Sequence, residues 1–420
     1  MNPLPERSLL WLLAVVQFTH IVDFMILMPL GPQLMRDLHI GPAHYTALVA
    51  AYTVSSSVVG LLTAPFIDRF DRRKLLLLAY AGFIAGTLAC AMSLNTTTLL
   101  AARALSGAFG GLSISMVTSI IGDVVPPERR AAGVGIVMTA FSVAAAVGVP
   151  FGLQLAQYLR WEAPFFVLAA IASMVWTIAF MRLPPVRGHL ENDKAAGAFA
   201  ELLRDANAGR ALLFMAAMVM GHFAVVPLLS PYLVYNIGLP ERDLFLVYFT
   251  GGVFSIFTAP RIGKLADRFG RLRVFSGLVA VASAVTLSIT YSGPLPLWAV
   301  LVLSGAFFVF ASGRFVPGQA IMTLAVPAPR RGAFMSLSGC ARDLAMGVTS
   351  SMGGWIVTKT PTGALENFHW LGWIAAGMGL VSVWLGSRVR VNDIGSLALQ
   401  AQPPLNGTRV SRSEVPAFID

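Results

Sequence analysis

Titratable side chains are scarce in the long apolar runs of this sequence, and several of them fall at helical spacings. In the first run Gln17, His20 and Asp23 stand three residues apart, which places them on one face of a helix. Asp23 is an acid that can hold or release a proton. Arg103, in the fourth run, is a permanent cation. Each lies about six residues inside the same end of its run, so both sit roughly 9 Å deep. Where charge is penalised, desolvation favours the neutral acid while a neighbouring guanidinium favours the carboxylate. Such a pair is either a proton switch or a static ion pair that fixes helix packing. His222-Phe223 repeats Asp23-Phe24 at an offset of 199 residues, and Pro227-Leu228 with Pro231 repeats Pro29-Leu30 with Pro32. His222 is therefore either a second proton site or a satisfied core histidine. The eleventh run holds Arg342 and Asp343, about 10 residues from one end and so near mid-bilayer. Neighbours on a helix point about 100° apart, so these two need not pair with each other. Arg314 lies nearer one end of the tenth run. These three either bind an ionic substrate or bridge helices.

Other chemistries lack their residues. No Gly-x-x-x-x-Gly-Lys-Ser/Thr loop is present, so nothing points to ATP hydrolysis. No Ser–His–acid or metal-ligand grouping appears, so neither an enzyme nor a metal site is expected. Cys90 and Cys340 both fall in apolar runs, which argues against a disulfide. No cofactor is expected. The first apolar run is long, contains Asp23 and lacks a small-residue cleavage pattern, so it reads as a membrane span and not as a cleaved signal.

The elements that must position these side chains follow from composition. Hydrophobic residues make up 56% of the 420, only 12% are charged, and mean hydropathy is +0.73; soluble domains carry about 25% charged residues. Runs long enough to cross a bilayer lie at roughly 9–29, 46–67, 75–93, 97–121, 132–154 and 164–183, then 211–232, 244–262, 274–291, 297–316, 333–357 and 368–386. The expected fold is an all-α membrane protein of twelve transmembrane helices. One set of loops carries Arg69, Arg72, Arg73, Lys74, Arg129, Arg130, Arg182, Arg187, Lys194, Arg268, Arg271, Arg273, Arg330 and Arg331. The alternate set carries only Arg36, Arg160, Arg242 and Lys359. That bias places both termini in the cytoplasm. It also assigns the basic pI of about 10.1 to topology and not to nucleic-acid binding.

The chain is duplicated. Leu105-Ser106-Gly107-Ala108-Phe109 recurs as Leu303-Ser304-Gly305-Ala306-Phe307, Asp68-Arg69-Phe70 as Asp267-Arg268-Phe269, and Val125-Pro126 with Arg129-Arg130 as Val326-Pro327 with Arg330-Arg331, at offsets of 198, 199 and 201 residues. Three echoes at nearly one spacing imply two related bundles of six helices, an architecture transporters use with substrate near the midplane. The expected division is 1–183, a cytoplasmic linker at 184–210, 211–387, and a mostly disordered tail at 388–420. Within the linker Phe199, Leu202 and Leu203 could form one face of a short amphipathic helix on the membrane surface.

A family resemblance rests on the repeated loop. Gly263-Lys264-Leu265-Ala266-Asp267-Arg268-Phe269-Gly270-Arg271 resembles the signature loop of the major facilitator superfamily. The first copy, with Asp68, Arg69 and Arg72, has Ala64 and Asp71 where the family usually has glycine. The resemblance implies that these loops hold one transport conformation against another; the alternative is a basic loop with no switching role. Arg103-x-x-x-Gly107-x-x-x-Gly111 resembles a second family motif, its glycines forming a face for close helix approach. Gly148-Val149-Pro150-Phe151-Gly152 looks like the core of the family's antiporter motif, and Trp161 with Pro164-Phe165-Phe166 resembles bacterial sugar and multidrug efflux members. Glu162 departs from them, standing where an arginine is expected. The resemblance implies a monomeric secondary transporter of the inner (plasma) membrane that exports a small amphipathic compound (drug, sugar or metabolite) by proton antiport, with the proton gradient as its energy source. The implied partners are that small molecule, protons and the lipid bilayer, with no nucleic acid. Asp23, Arg103, His20 and His222 would couple protons. Gln17, Phe24, Arg314, Arg342 and Asp343 would line the substrate cavity. The alternatives are a facilitator, uptake or lipid-like substrate transporter of the same fold, or a sensor that does not transport.

Overall fold

A computed structural model describes residues 5–64, 67–126, 129–187, 201–202, 204–327, 330–361 and 363–391, with the Asp68 and Ala131 side chains outside that description. The first six crossings are α1 (Glu6–Ile26), α3 (Pro42–Thr63), α4 (Arg72–Ala91), α5 (Thr96–Val124), α6 (Arg130–Val143) continuing into α7 (Val149–Tyr158), and α8 (Ala163–Arg182); a short α2 (Gly31–Asp37) follows α1. The second six are α9 (Ala206–Phe223) continuing into α10 (Val226–Tyr235), α11 (Leu244–Phe269), α12 (Arg271–Thr290), α13 (Leu297–Phe307) continuing into α14 (Phe315–Leu324), α15 (Arg331–Ile356) and α16 (Phe368–Arg388). Eleven of these crossings are long and apolar enough to span a membrane by composition alone. The twelfth, α15, is 26 residues long and carries Arg342 and Asp343. All twelve coincide with the expected runs.

Local sequence explains where the helices start and bend. Asn95 and Thr98 form a reciprocal capping box at α5, and the Asp205 carboxylate accepts the amides of Asn207 and Ala208 to open α9; both satisfy amides that a helix start leaves unpaired. Pro150 has no N–H to give the preceding turn, and the five residues Ala144–Gly148 before α7 form a π-helical turn. A second π turn, Phe308–Ser312, separates α13 from α14. The first crossing stops at Ile26, short of the expected limit at residue 29: a turn at Leu27–Leu30 leads into α2. One β pairing departs from the all-helical expectation. Thr358 and Lys359 pair antiparallel with Glu366 and Leu365, and Asn236 clamps Leu365 through hydrogen bonds of 2.9 Å in both directions.

Lipid is as apolar as leucine, so small residues at contacts hold the helices together. A Cβ on Gly107 would strike the Tyr52 carbonyl, and one on Gly111 the Ser56 side chain, so α5 lies against α3. Gly148 and Gly152 bring the fifth crossing onto Val22 and Ile26 of α1. Between the halves, α15 packs along α3 with Gly347 against Thr53 and Val54, and α11 meets the π turn where Gly252 touches Ala145 and Ala146.

The two ends of the bundle differ. At the end opposite the termini the halves are tied: Arg36 pairs with Glu241, Gln157 donates to the Glu241 carbonyl at 2.7 Å, and Tyr235 donates to the Pro32 carbonyl at 2.9 Å. At the end holding the termini, Arg72–Asp123, Arg129–Glu6 and Arg187–Asp71 each join elements of one half. Of the expected linker helix, Leu202 is buried, while Phe199 and Leu203 lie outside the described residues, as does the tail from residue 392.

Candidate functional site

Asp23 and Arg103 meet. Arg103 Nη1 donates to Asp23 Oδ2 at 2.8 Å and to the Asp23 carbonyl at 3.2 Å, and both side chains are 0% exposed. Thr87 of α4 donates to the other carboxylate oxygen at 3.1 Å. The Arg103 guanidinium lies 4.7 Å from the centre of the Tyr52 ring, a cation–π contact that matters most when desolvated. The pair therefore sits inside the first bundle, among α1, α3, α4 and α5, with Tyr52 on its α3 side. His20 is one turn along α1, its ring centre 4.0 Å from that of Phe83 and 5.4 Å from that of Tyr80, with neither nitrogen hydrogen bonded. Gln17 is buried in the same bundle. Sequence spacing brought out Asp23 and Arg103 but missed Thr87 and Tyr52, since a lone threonine or tyrosine in an apolar run carries no distinguishing signal.

A second polar cluster joins the halves. Arg342 Nε donates to Asp343 Oδ1 at 3.0 Å, so the adjacent residues do pair, a point their 100° separation left open. The arginine side chain is long enough to reach round the helix. The other oxygen of Asp343 accepts from Ser56 at 2.7 Å, and Ser57 donates to the Cys340 carbonyl at 2.9 Å. Phe24 and Phe223, equivalent positions in the duplication, touch across the interface with ring centres 6.0 Å apart, and Phe24 also packs on Tyr52 at 5.6 Å.

Arg314 is 2% exposed and donates to the Met218 carbonyl at 3.3 Å, bridging the tenth crossing to α9. His222 stacks on Phe307 at 5.7 Å, with Phe223 and Phe315 edge-on, and its Nδ1 has no partner.

The signature loops differ for a physical reason. Gly270 adopts φ +94°, a conformation that favours glycine, and so turns α11 straight into α12. Asp71 instead has φ −59° and caps α4 by accepting the Arg73 amide. Burial alone would push the Asp71 carboxyl up. Hydrogen bonds from Arg187 and from the amides of Val186 and Arg73 outweigh it and hold the group below its ordinary range. Arg72 pairs with Asp123 at 3.2 Å, and Arg69 lies in a 3-10 turn, Ile67–Arg69. Asp267 is exposed, and Arg268 lies over the Phe269 ring at 5.2 Å. A Cβ on Gly263 would meet only Val316, at an ordinary contact distance of 3.8 Å.

Comparison with known proteins decides the family. The Major Facilitator Superfamily model matches residues 13–311 and 211–409. The chain belongs to the major facilitator superfamily. This transporter is 23% identical over 363 residues to the uncharacterized MFS-type transporter YceJ of Bacillus subtilis, covering 86% of this chain and 92% of that protein. It is 27% identical over 317 residues to the efflux pump dotC of Dothistroma septosporum, covering 71% of this chain and 50% of that one. Among solved structures, a D-xylose–proton symporter aligns with TM-score 0.72 at 16% identity, over 93% of this chain and 99% of that chain. A bacterial homologue of the lysosomal transporter Spinster, inward-facing and unoccupied, aligns with TM-score 0.68 at 14% identity, over 93% and 99%. The two-bundle transporter fold follows. The protein is a multi-pass membrane secondary transporter that binds small molecules, and it is not an enzyme.

Proposed function

We propose that the transporter exports a small amphipathic compound in exchange for protons, and that Asp23 is the coupling site. The observation that carries this is the Asp23–Arg103 ion pair, wholly buried and held by Thr87. Its charge balance changes whenever Arg103 moves or a charged group arrives, because an acid can become neutral and a guanidinium cannot. The efflux direction is supported by the relative named as an efflux pump and by Gly148, Pro150 and Gly152, which set the bend and the α1 contact of the fifth crossing.

In this reading residues 1–183 and 211–387 rock against each other, with 184–210 as the cytoplasmic connector and 388–420 as the tail. The termini lie in the cytoplasm of a cell whose plasma membrane holds the protein as a monomer. Closure by Arg36–Glu241 and Tyr235–Pro32 then makes this the inward-facing state. His20 and His222 are secondary proton sites, and no cofactor takes part.

The test reconstitutes wild type and Asp23→Asn in proteoliposomes with a compound found by thermal-shift screening, since a bound ligand raises Tm. The variant should still exchange compound but lose accumulation driven by a pH gradient. Retained ΔpH-driven accumulation removes Asp23 as the proton site. Accumulation in the direction of uptake establishes the uptake alternative, and binding without exchange establishes a sensor.

A further inference from the structure

We propose that the guanidinium of Arg342 is the recognition point for an anionic group, a carboxylate or phosphate, on the transported amphipathic compound. This rests on the transporter reading above and names the substrate class. Arg342 lies 11 residues into the 26-residue α15, yet its side chain is 42% exposed. That exposure does not face lipid. The lipid face of α15 is marked by the exposed Leu344, Val348 and Trp355, and Arg342, two residues before Leu344, points about 200° away from it. A charge at this depth is tolerated where it lines a water-accessible cavity or finds a partner; Arg342 has its partner in Asp343 and keeps an accessible side chain on the side turned away from Leu344.

The pair presents its positive side. Asp343 is only 15% exposed, and both its oxygens are taken, one by Arg342 and the other by Ser56. Arg342 gives Nε and Nη2 to that carboxylate and retains Nη1 among its five N–H donors. Charge in the surrounding bundle favours an anion as well. Asp23 and Arg103 cancel, whereas Arg314 is buried against the Met218 carbonyl with no carboxylate beside it among the described residues. An apolar surface lies close in register. Gly347, one turn beyond Asp343, touches Thr53 and Val54, next to Tyr52, whose ring packs with Phe24, which in turn meets Phe223. An anionic head on Arg342 with an apolar body against Phe24, Tyr52 and Phe223 fits this arrangement.

Three probes with one body and different heads test it: 2-naphthoate, 2-naphthylmethylammonium and 2-naphthalenemethanol, titrated against the full-length protein in nanodiscs by thermal shift and calorimetry. Naphthoate should bind saturably and at least about tenfold more tightly than the cation or the alcohol, the scale of a charge-assisted contact. Arg342→Gln should lower naphthoate affinity by about tenfold or more, and Arg342→Lys by less. Asp343→Asn should tighten it, because the native carboxylate competes for the same guanidinium. The double variant R342Q/D343N removes both charges together, so it guards against a fold lost to one unpaired charge and should bind like R342Q. Equal binding of the cation, wild-type naphthoate affinity in R342Q and the double variant, or no saturable naphthoate binding overturns the proposal. The titrations use no pH gradient, so they succeed or fail independently of whether Asp23 couples protons.

Discussion

Cutting the Asp23–Arg103 pair from one side should cost more than cutting it from the other. Both side chains are fully buried at 2.8 Å separation, and removing one partner of such a pair costs about 3–5 kcal/mol, because the other charge is left without compensation. That is a factor of roughly 10²–10⁴ in the ratio of folded to unfolded protein. The stranded partners differ. Asp23→Asn keeps the shape and the Thr87 contact but leaves a guanidinium that cannot shed its charge, facing the backbone carbonyl of residue 23 and the Tyr52 ring with no carboxylate beside it. Arg103→Gln leaves a carboxyl that can become neutral by taking a proton. The expected order of destabilisation is therefore Asp23→Asn, then Arg103→Gln, then the double variant, in which two neutral amides face each other. Acidification should restore part of the loss in Arg103→Gln and nothing in Asp23→Asn. The assay is reversible denaturant unfolding in detergent, followed by tryptophan fluorescence at several pH values, with a double-mutant cycle. Because the double variant costs less than either single, coupling should be at least about 3 kcal/mol, the size of the larger single loss and at or above the top of the usual range for groups in contact. Additive single costs, or an Arg103→Gln loss that does not change with pH, would refute the argument.

Three further outcomes are expected. Asp71→Asn removes a carboxylate held below its ordinary range, whose stabilisation is present above the unfolded value near 3.9 and lost as pH falls through the lower folded one. The variant keeps the cap, since asparagine caps as well as aspartate, but loses the charge-assisted bond from the exposed Arg187. It should therefore be less stable by about 0.2–1 kcal/mol at neutral pH and equal to wild type in strong acid, as read by unfolding against pH. Asp267→Asn should reduce transport more than Asp68→Asn at matched expression, because the Gly270 loop is the intact copy of the signature; equal losses contradict this. Glu241→Gln should loosen the closed end by about 0.2–1 kcal/mol, the value of an exposed ion pair. Labelling of a cysteine placed at Pro32 should rise up to about fivefold at low salt and less at high salt.

How much could be read without coordinates depended on how local the cause was. The twelve crossings were legible because bilayer thickness demands about 20 apolar residues whatever surrounds them, and even α15 showed itself despite Arg342 and Asp343. The duplication was legible in spaced echoes, and it anticipated that Phe24 and Phe223 are equivalent, though not that they touch. Asp23 and Arg103 could be matched in depth because helical rise is constant, and a buried charge in lipid needs a partner. Packing alone decided the rest. Thr87 reaches Asp23 across 64 residues of sequence and Ser56 reaches Asp343 across 287, proximities that no local pattern encodes. Arg342 and Asp343 pair because side-chain rotamers, not Cα–Cβ directions, fix where a long arginine ends. The two signature loops read alike, yet φ at Gly270 and the cap at Asp71 give them different turns, because a glycine permits a backbone angle that an aspartate avoids. Which end of the bundle is closed is likewise a tertiary fact. One sequence serves every conformation of an alternating transporter, and the contacts that Arg36, Glu241 and Tyr235 make between the halves belong to this one.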